Sequence, residues 1–146
     1  MNDIPPWFVA FIFAVVLGVR LATKRWSISL LFGCILLILG ETLLFRKVTG
    51  TMQTELVPFW SYKKWRVYGP QIIANVLLFI PFGVVGTSIW KWKSVFFATG
   101  LSCIIELIQL ISRRGLFEFD DIIHNTIGAV IGCLLYMFIH KRKGIT

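Results

Sequence analysis

The chain has 146 residues, of which 57% are hydrophobic, with a net charge of +8 and a mean hydropathy of +0.80. A soluble domain of this length has too small an interior to hide that much apolar surface, so the composition points to lipid. The charge does not signal nucleic acid. Basic residues fall in short clusters between apolar runs with no DNA- or RNA-binding motif beside them, as expected of charges flanking membrane spans.

A bilayer core takes roughly 20 apolar residues per helix. Five stretches qualify, at about 5–20, 26–45, 71–90, 94–112 and 122–140. They predict an all-α integral membrane protein, a bundle of about five transmembrane helices forming one polytopic domain over 1–146. Pro5 and Pro6 suit the first turn of the first helix, where a missing N–H costs nothing. The opening Met-Asn-Asp lacks a basic n-region, and no small-residue cleavage site follows, so the first run reads as a retained helix. Breaks fall at Thr23–Arg25, 46–70, Lys91–Lys93, Arg113–Asp120 and the Lys141–Lys143 tail. Cys34, Cys103 and Cys133 lie within apolar runs, with no CxxC pair and no histidine at ligand spacing, and read as inert thiols. Neither a metal site nor a cofactor is expected.

Five spans place the termini on opposite faces. One face then carries Arg20, Lys24, Arg25, Lys91, Lys93, Lys141, Arg142 and Lys143, and the other Arg46, Lys47, Lys63, Lys64, Arg66, Arg113 and Arg114. The basic count is close to a tie. The acids are one-sided: Asp3, Glu41, Glu55, Glu106, Glu118, Asp120 and Asp121 all lie on or nearer the second face. The purely basic face is the one expected inside, giving N-out and C-in.

The polar residues within the spans follow the same asymmetry. Asn75 comes early in the third helix, Glu106 and Gln109 late in the fourth, His124 and Asn125 early in the fifth. At a rise of about 1.5 Å per residue, Glu106 sits roughly 10 Å below Arg113. Glu106, Gln109 and Arg113 share one stripe, but Glu106 and Arg113 are two turns apart, so Glu106 is expected to find a partner on another helix or to hold a proton. Asp121, Asn125, Gly128 and Gly132 form a second stripe, and Gly128-x-x-x-Gly132 permits close helix approach. Asn75, Phe79 and Gly83 repeat at intervals of four, and Pro81 among them frees a carbonyl. A carboxylate inside a bilayer costs about 2.5–3.5 kcal/mol on insertion scales and normally faces the bundle interior. A polar pocket open to one face and interhelical packing without a ligand account for this spacing equally well. Glu41 reads as a snorkelling helix-end residue, and His124, at the membrane boundary, as solvated or in headgroup contact. In loop 46–70, Trp60, Tyr62, Trp65 and Tyr68 interleave with Lys63, Lys64 and Arg66, the mixture an interfacial anchor needs.

Three segments in order carry a family resemblance: Asn75-Val76-Leu77-Leu78-Phe79-Ile80-Pro81-Phe82-Gly83, then Glu106-x-x-Gln109, then Gly115-Leu116-Phe117-Glu118-Phe119-Asp120-Asp121-Ile122-Ile123-His124-Asn125-Thr126-Ile127-Gly128. Together they resemble the VanZ-like family over about 55–136. Glu55-Leu56-Val57-Pro58-Phe59 looks like that family's earlier element, with Glu where Asn is usual. The resemblance implies a bacterial plasma-membrane protein of the cell envelope and a link to resistance against the lipid-tailed glycopeptide teicoplanin, but no reaction. The leading reading is a non-enzymatic protein that binds membrane lipid, a lipid-linked cell-wall precursor or a lipoglycopeptide. Asn75, Glu106, Gln109, Asp120, Asp121 and Asn125 would line the site, with Arg113 and Arg114 meeting phosphate. The alternative is an intramembrane enzyme using Glu106 and Asp121 as an acid/base pair or as holders of a divalent ion, although no nucleophile-base set or metal signature is present. A transporter is disfavoured because the acids occupy one half of the membrane.

Overall fold

The computed structural model describes residues 4–46, 48, 50 and 53–142, without the side chains of Lys64 and Arg142. Asp3, Lys47 and Lys143, counted in the charge balance above, lie outside the described residues.

Helix α1 spans Pro6–Thr23. Pro6 occupies its first turn, and Lys24 ends it in the left-handed region (φ 56°), its amide bonded to the Arg20 carbonyl. Helix α2 runs Trp26–Leu39 and widens into a π turn at Gly40–Leu44, closed by the Phe45 amide on the Gly40 carbonyl at 3.1 Å. The two helices are antiparallel: Phe8, near the start of α1, packs against Gly40 and stacks edge-on with Phe45 at the far end of α2.

A 3-10 turn at Trp60–Lys64 leads into α3, Trp65–Trp90. This helix starts six residues before the expected 71. The composition of the aromatic-basic segment reads as loop, yet Trp65–Pro70 is helical, and Pro70 within it has no N–H to contribute. A 3-10 turn at Lys91–Lys93 reverses the chain into α4, Ser94–Ile111. Thr87 and Ser94 clasp this turn, their hydroxyls 2.9 Å apart. Helix α5, Phe119–Arg142, starts three residues earlier than the expected 122. Asp120 and Asp121 in its first turn complement the helix dipole there. Two short strands, β1 (Thr54–Glu55) and β2 (Phe117–Glu118), pair in parallel, with Thr54 opposite Phe117 and Glu55 opposite Glu118.

Among the described residues, four helical stretches are long and apolar enough to cross a membrane. The third, Trp65–Ile111, is 47 residues long and folds back at Lys91–Lys93, so α3 and α4 each make a crossing and the crossings number five. Phe13, Leu21 and Ile111 are each more than 70% exposed, while Leu31, Ile38, Phe79, Phe82, Ala98, Ile105 and Ala129 form the core. An apolar exterior around a mixed interior is the pattern of an all-α membrane protein.

The closest packing is between α3 and α5, which run parallel. A methyl group at Gly128 would strike the Val76 carbonyl, one at Gly132 the Ile80 carbonyl, and one at Gly83 the Ala129 carbonyl. The two backbones therefore lie against each other, as small-residue spacing allows in a bilayer. Pro81 stands on the exposed side of α3, and Gly83 is buried.

Candidate functional site

Three chain segments meet at one end of the bundle: the π turn ending α2, the 53–64 segment entering α3, and the 112–121 turn between α4 and α5. Because α3 and α5 are parallel and α4, which connects them in the chain, runs antiparallel to both, the start of α3, the end of α4 and the start of α5 bring their polar residues to this end. Glu106, Gln109, Glu118, Asp120, Asp121, His124 and Asn125 are all at least 95% buried. They form a packed polar network.

Gln109 joins it to α2. Its Nε2 donates to the Thr42 carbonyl at 3.1 Å, and its Oε1 accepts from Arg46 Nη1 at 2.9 Å. Glu106 accepts from the Glu118 amide at 3.0 Å, which ties the end of α4 to β2. Gln71, at the start of α3, donates to Asp121 at 3.2 Å and reaches Glu118 at 3.5 Å. Asn75 follows one turn later, and its buried Nδ2 faces Asp121 short of hydrogen-bonding geometry. Asn125 donates to the Ser102 hydroxyl at 2.8 Å and leaves its own Oδ1 buried without a partner.

Glu106, Glu118 and Asp121 thus share one small region, and Arg46 is the cation within electrostatic range of all three. Three carboxylates against one guanidinium cannot all stay ionised cheaply out of water. At Glu118, which sits on the turn outside the spans, burial and the neighbouring Asp121 push the carboxyl up to about 7, with Arg46 offsetting part of the rise.

Asp120 serves a different purpose. Its carboxylate accepts the Phe59 amide at 2.5 Å, the Ser61 amide at 3.3 Å and the Ser61 hydroxyl at 2.6 Å, clasping the 53–64 segment. His124 adds a second clasp, its Nε2 3.0 Å from the Tyr62 hydroxyl. His124 is 1% exposed, so the expected solvated or headgroup contact gives way to a buried imidazole bonded to the Tyr62 hydroxyl. Apart from the clasped Tyr62 hydroxyl the aromatic-basic segment faces outward: Tyr62, Lys63, Trp65 and Arg66 are exposed, and Trp60 is half-buried against Tyr68. The side chain of Lys64 lies outside the described residues.

Of the two arginines expected at the site, Arg114 turns to backbone carbonyls. Arg114 donates from Nη1 to the carbonyls of Leu43 at 2.8 Å, Leu44 at 3.1 Å and Arg46 at 3.3 Å. It therefore caps carbonyls that the ending helix leaves without partners. Arg113 stands exposed on the turn in the left-handed region (φ 54°). The cation of the cluster is Arg46, and it also packs against Gly115. Arg46, Gln71, Ser61 and Glu118 were not singled out from the sequence. Gln71 had a visible signal, since it lies four residues before Asn75 on the stripe leading to Phe79 and Gly83. Arg46 had a weaker one, as the first cation after the second span on the face that holds the acids. Among the described residues, no group of three or more His, Cys, Asp and Glu side chains has the geometry to hold a metal ion.

Five apolar crossings with an ordered polar network at one end define a polytopic membrane protein that is chemically equipped on one face. Residues 28–140 match the family described as VanZ/LLP1, and the chain belongs to it. It is similar to the protein named Protein VanZ from Enterococcus faecium, with 33% identity over 92 residues, 60% of this chain and 55% of that protein. The chain thus spans about half the length of this relative. No solved structure matches it.

Proposed function

We propose that the chain is a cell-envelope protein of a bacterial plasma membrane, oriented N-out and C-in, that engages lipid or a lipid-linked cell-wall precursor at the outer leaflet. In doing so it lowers susceptibility to lipid-tailed glycopeptides such as teicoplanin. The observation carrying this reading is the segment clasped by Asp120 and His124. It holds Tyr62, Lys63, Trp65 and Arg66 exposed beside a buried acidic network. Aromatic rings at headgroup depth with cations for phosphate suit a lipid-linked ligand, and membership of the VanZ/LLP1 family supports the link to glycopeptides.

Expression in a susceptible host, with teicoplanin and vancomycin compared side by side, tests it. Reduced susceptibility to teicoplanin is expected. Unchanged susceptibility to both, with the protein present in the membrane, would refute the resistance role.

A second reading, an intramembrane enzyme acting on a lipid headgroup with Glu106 and Asp121, draws on one observation: Glu106, Glu118 and Asp121 are buried together around Arg46, where acid groups can hold and pass a proton. Under that reading Glu118→Gln and Glu106→Gln each abolish function while membrane levels hold. Full activity in both variants would exclude proton transfer at those positions.

A further inference from the structure

The end of the bundle opposite the acids holds a cavity of about 350 Å³, lined by Arg25, Trp26, Ser27, Ile28, Ser88 and Ile89. It lies where α2 begins and α3 is about to end, at the depth where the charged Lys24–Arg25 pair gives way to apolar sequence. We propose that this cavity binds the phosphodiester headgroup of an anionic phospholipid, a site separate from the network around Glu106.

Four observations converge on it. First, the cavity has a charged lining residue, Arg25, and among the described residues every acid lies toward the other end of the bundle. A phosphate here meets attraction only. Second, the Arg20 guanidinium lies over the Trp26 ring, 5.0 Å from its centroid, and its Nε is buried without a hydrogen-bond partner. Arg20 does not itself line the cavity, but it stacks on Trp26, which does, and its cation adds to the positive field there. Third, no side chain caps the start of α2. The first intrahelical bond is the Ser29 amide on the Arg25 carbonyl at 3.3 Å, so the amides of Trp26, Ser27 and Ile28 precede any acceptor within the helix. Fourth, the lining joins Arg25 to the apolar Ile28 and Ile89 and to Trp26, which is 57% exposed. An occupant is therefore charged at one end and apolar at the other, which describes a phospholipid better than a phosphate free in solution.

Native mass spectrometry of the full chain in mild detergent, with added phosphatidylglycerol, phosphatidylcholine or inorganic phosphate, tests the site. The wild type should retain phosphatidylglycerol in preference to phosphatidylcholine. Arg25→Gln should lower that retention about fivefold, the effect of one cation at a membrane surface. Arg25→Lys, which keeps the charge, should restore most of it, and Ser27→Leu, which fills the cavity without touching the charge, should reduce it. Helicity is measured on each variant, so that loss of fold is told apart from loss of the site. Equal retention in the wild type, Arg25→Gln and Ser27→Leu would overturn the proposal, as would equal retention of the two lipids. Displacement of phosphatidylglycerol by millimolar inorganic phosphate would also overturn it, because the site would then belong to a soluble anion.

Discussion

Arg46 donates to Gln109 at 2.9 Å, joining residues 63 positions apart and fixing the end of α2 against the end of α4. The same guanidinium is the cation that Glu106, Glu118 and Asp121 share. One residue thus holds a structural bond and the charge balance of the buried network together.

Removing it should be costly. Arg46→Ala takes from Glu106, Glu118 and Asp121 the guanidinium they share and from Gln109 Oε1 the donor at 2.9 Å, and breaking such a buried pair typically costs about 3 kcal/mol or more. Thermal unfolding in detergent should show a clear drop in midpoint. Glu118→Gln in the Arg46→Ala background should recover part of it, since one fewer carboxylate then needs compensation.

The network also predicts a direction for pH dependence. The folded chain holds the Glu118 proton more tightly than the unfolded chain, because the carboxyl moves from 4.5 to about 7. Its contribution to stability is complete below about 4.5 and is lost as pH rises through about 7. Unfolding midpoints measured across that window should fall with pH in the wild type and fall less in Glu118→Gln.

At the α3–α5 contact, Gly128→Ala and Gly132→Ala each drive a methyl group into a carbonyl of α3. Losses of about 2 kcal/mol or more are expected from forced backbone separation. Gly100→Ala is the control: nothing lies within 4 Å of its Cβ position in mid-helix, so denaturant titration should show no loss and a gain of up to about 1 kcal/mol from helix propensity.

The clasp at Asp120 is open to a proteolytic test. Asp120→Ala removes three hydrogen bonds to Phe59 and Ser61, freeing a segment that presents Lys63 and Arg66. Trypsin should then cleave there faster than in the wild type, while Tyr62→Phe, which removes only the His124 partner, should give a smaller increase.

The crossings and the side on which polarity gathers were legible in the sequence because both follow from span order and hydropathy. Asn75, Glu106, Gln109, Asp121 and Asn125 come to one end for that reason, and Gly128-x-x-x-Gly132 marked the closest helix pair. Pairing within the cluster was not legible. Arg113 and Arg114 lie nearest in sequence to the acids, yet Arg114 turns to carbonyls freed where α2 ends, and Arg46 supplies the charge. Nothing in residue spacing reveals that α2 ends in a π turn, and the turn sets where its carbonyls and Arg46 point. The start of α3 was missed for a related reason. Trp65–Pro70 is polar and aromatic enough to read as loop, whereas its helical form comes from the clasped turn before it.

A role at the outer leaflet requires the acidic end of the bundle to face out of the cell. In a cysteine-free background, Arg113→Cys and Lys91→Cys place single thiols on the two turns at opposite ends of α4. A membrane-impermeant maleimide applied to intact cells should label position 113 and leave position 91 unlabelled until the membrane is permeabilised. The reverse pattern would put the network on the cytoplasmic side and contradict a role in meeting an extracellular glycopeptide or its lipid-linked target.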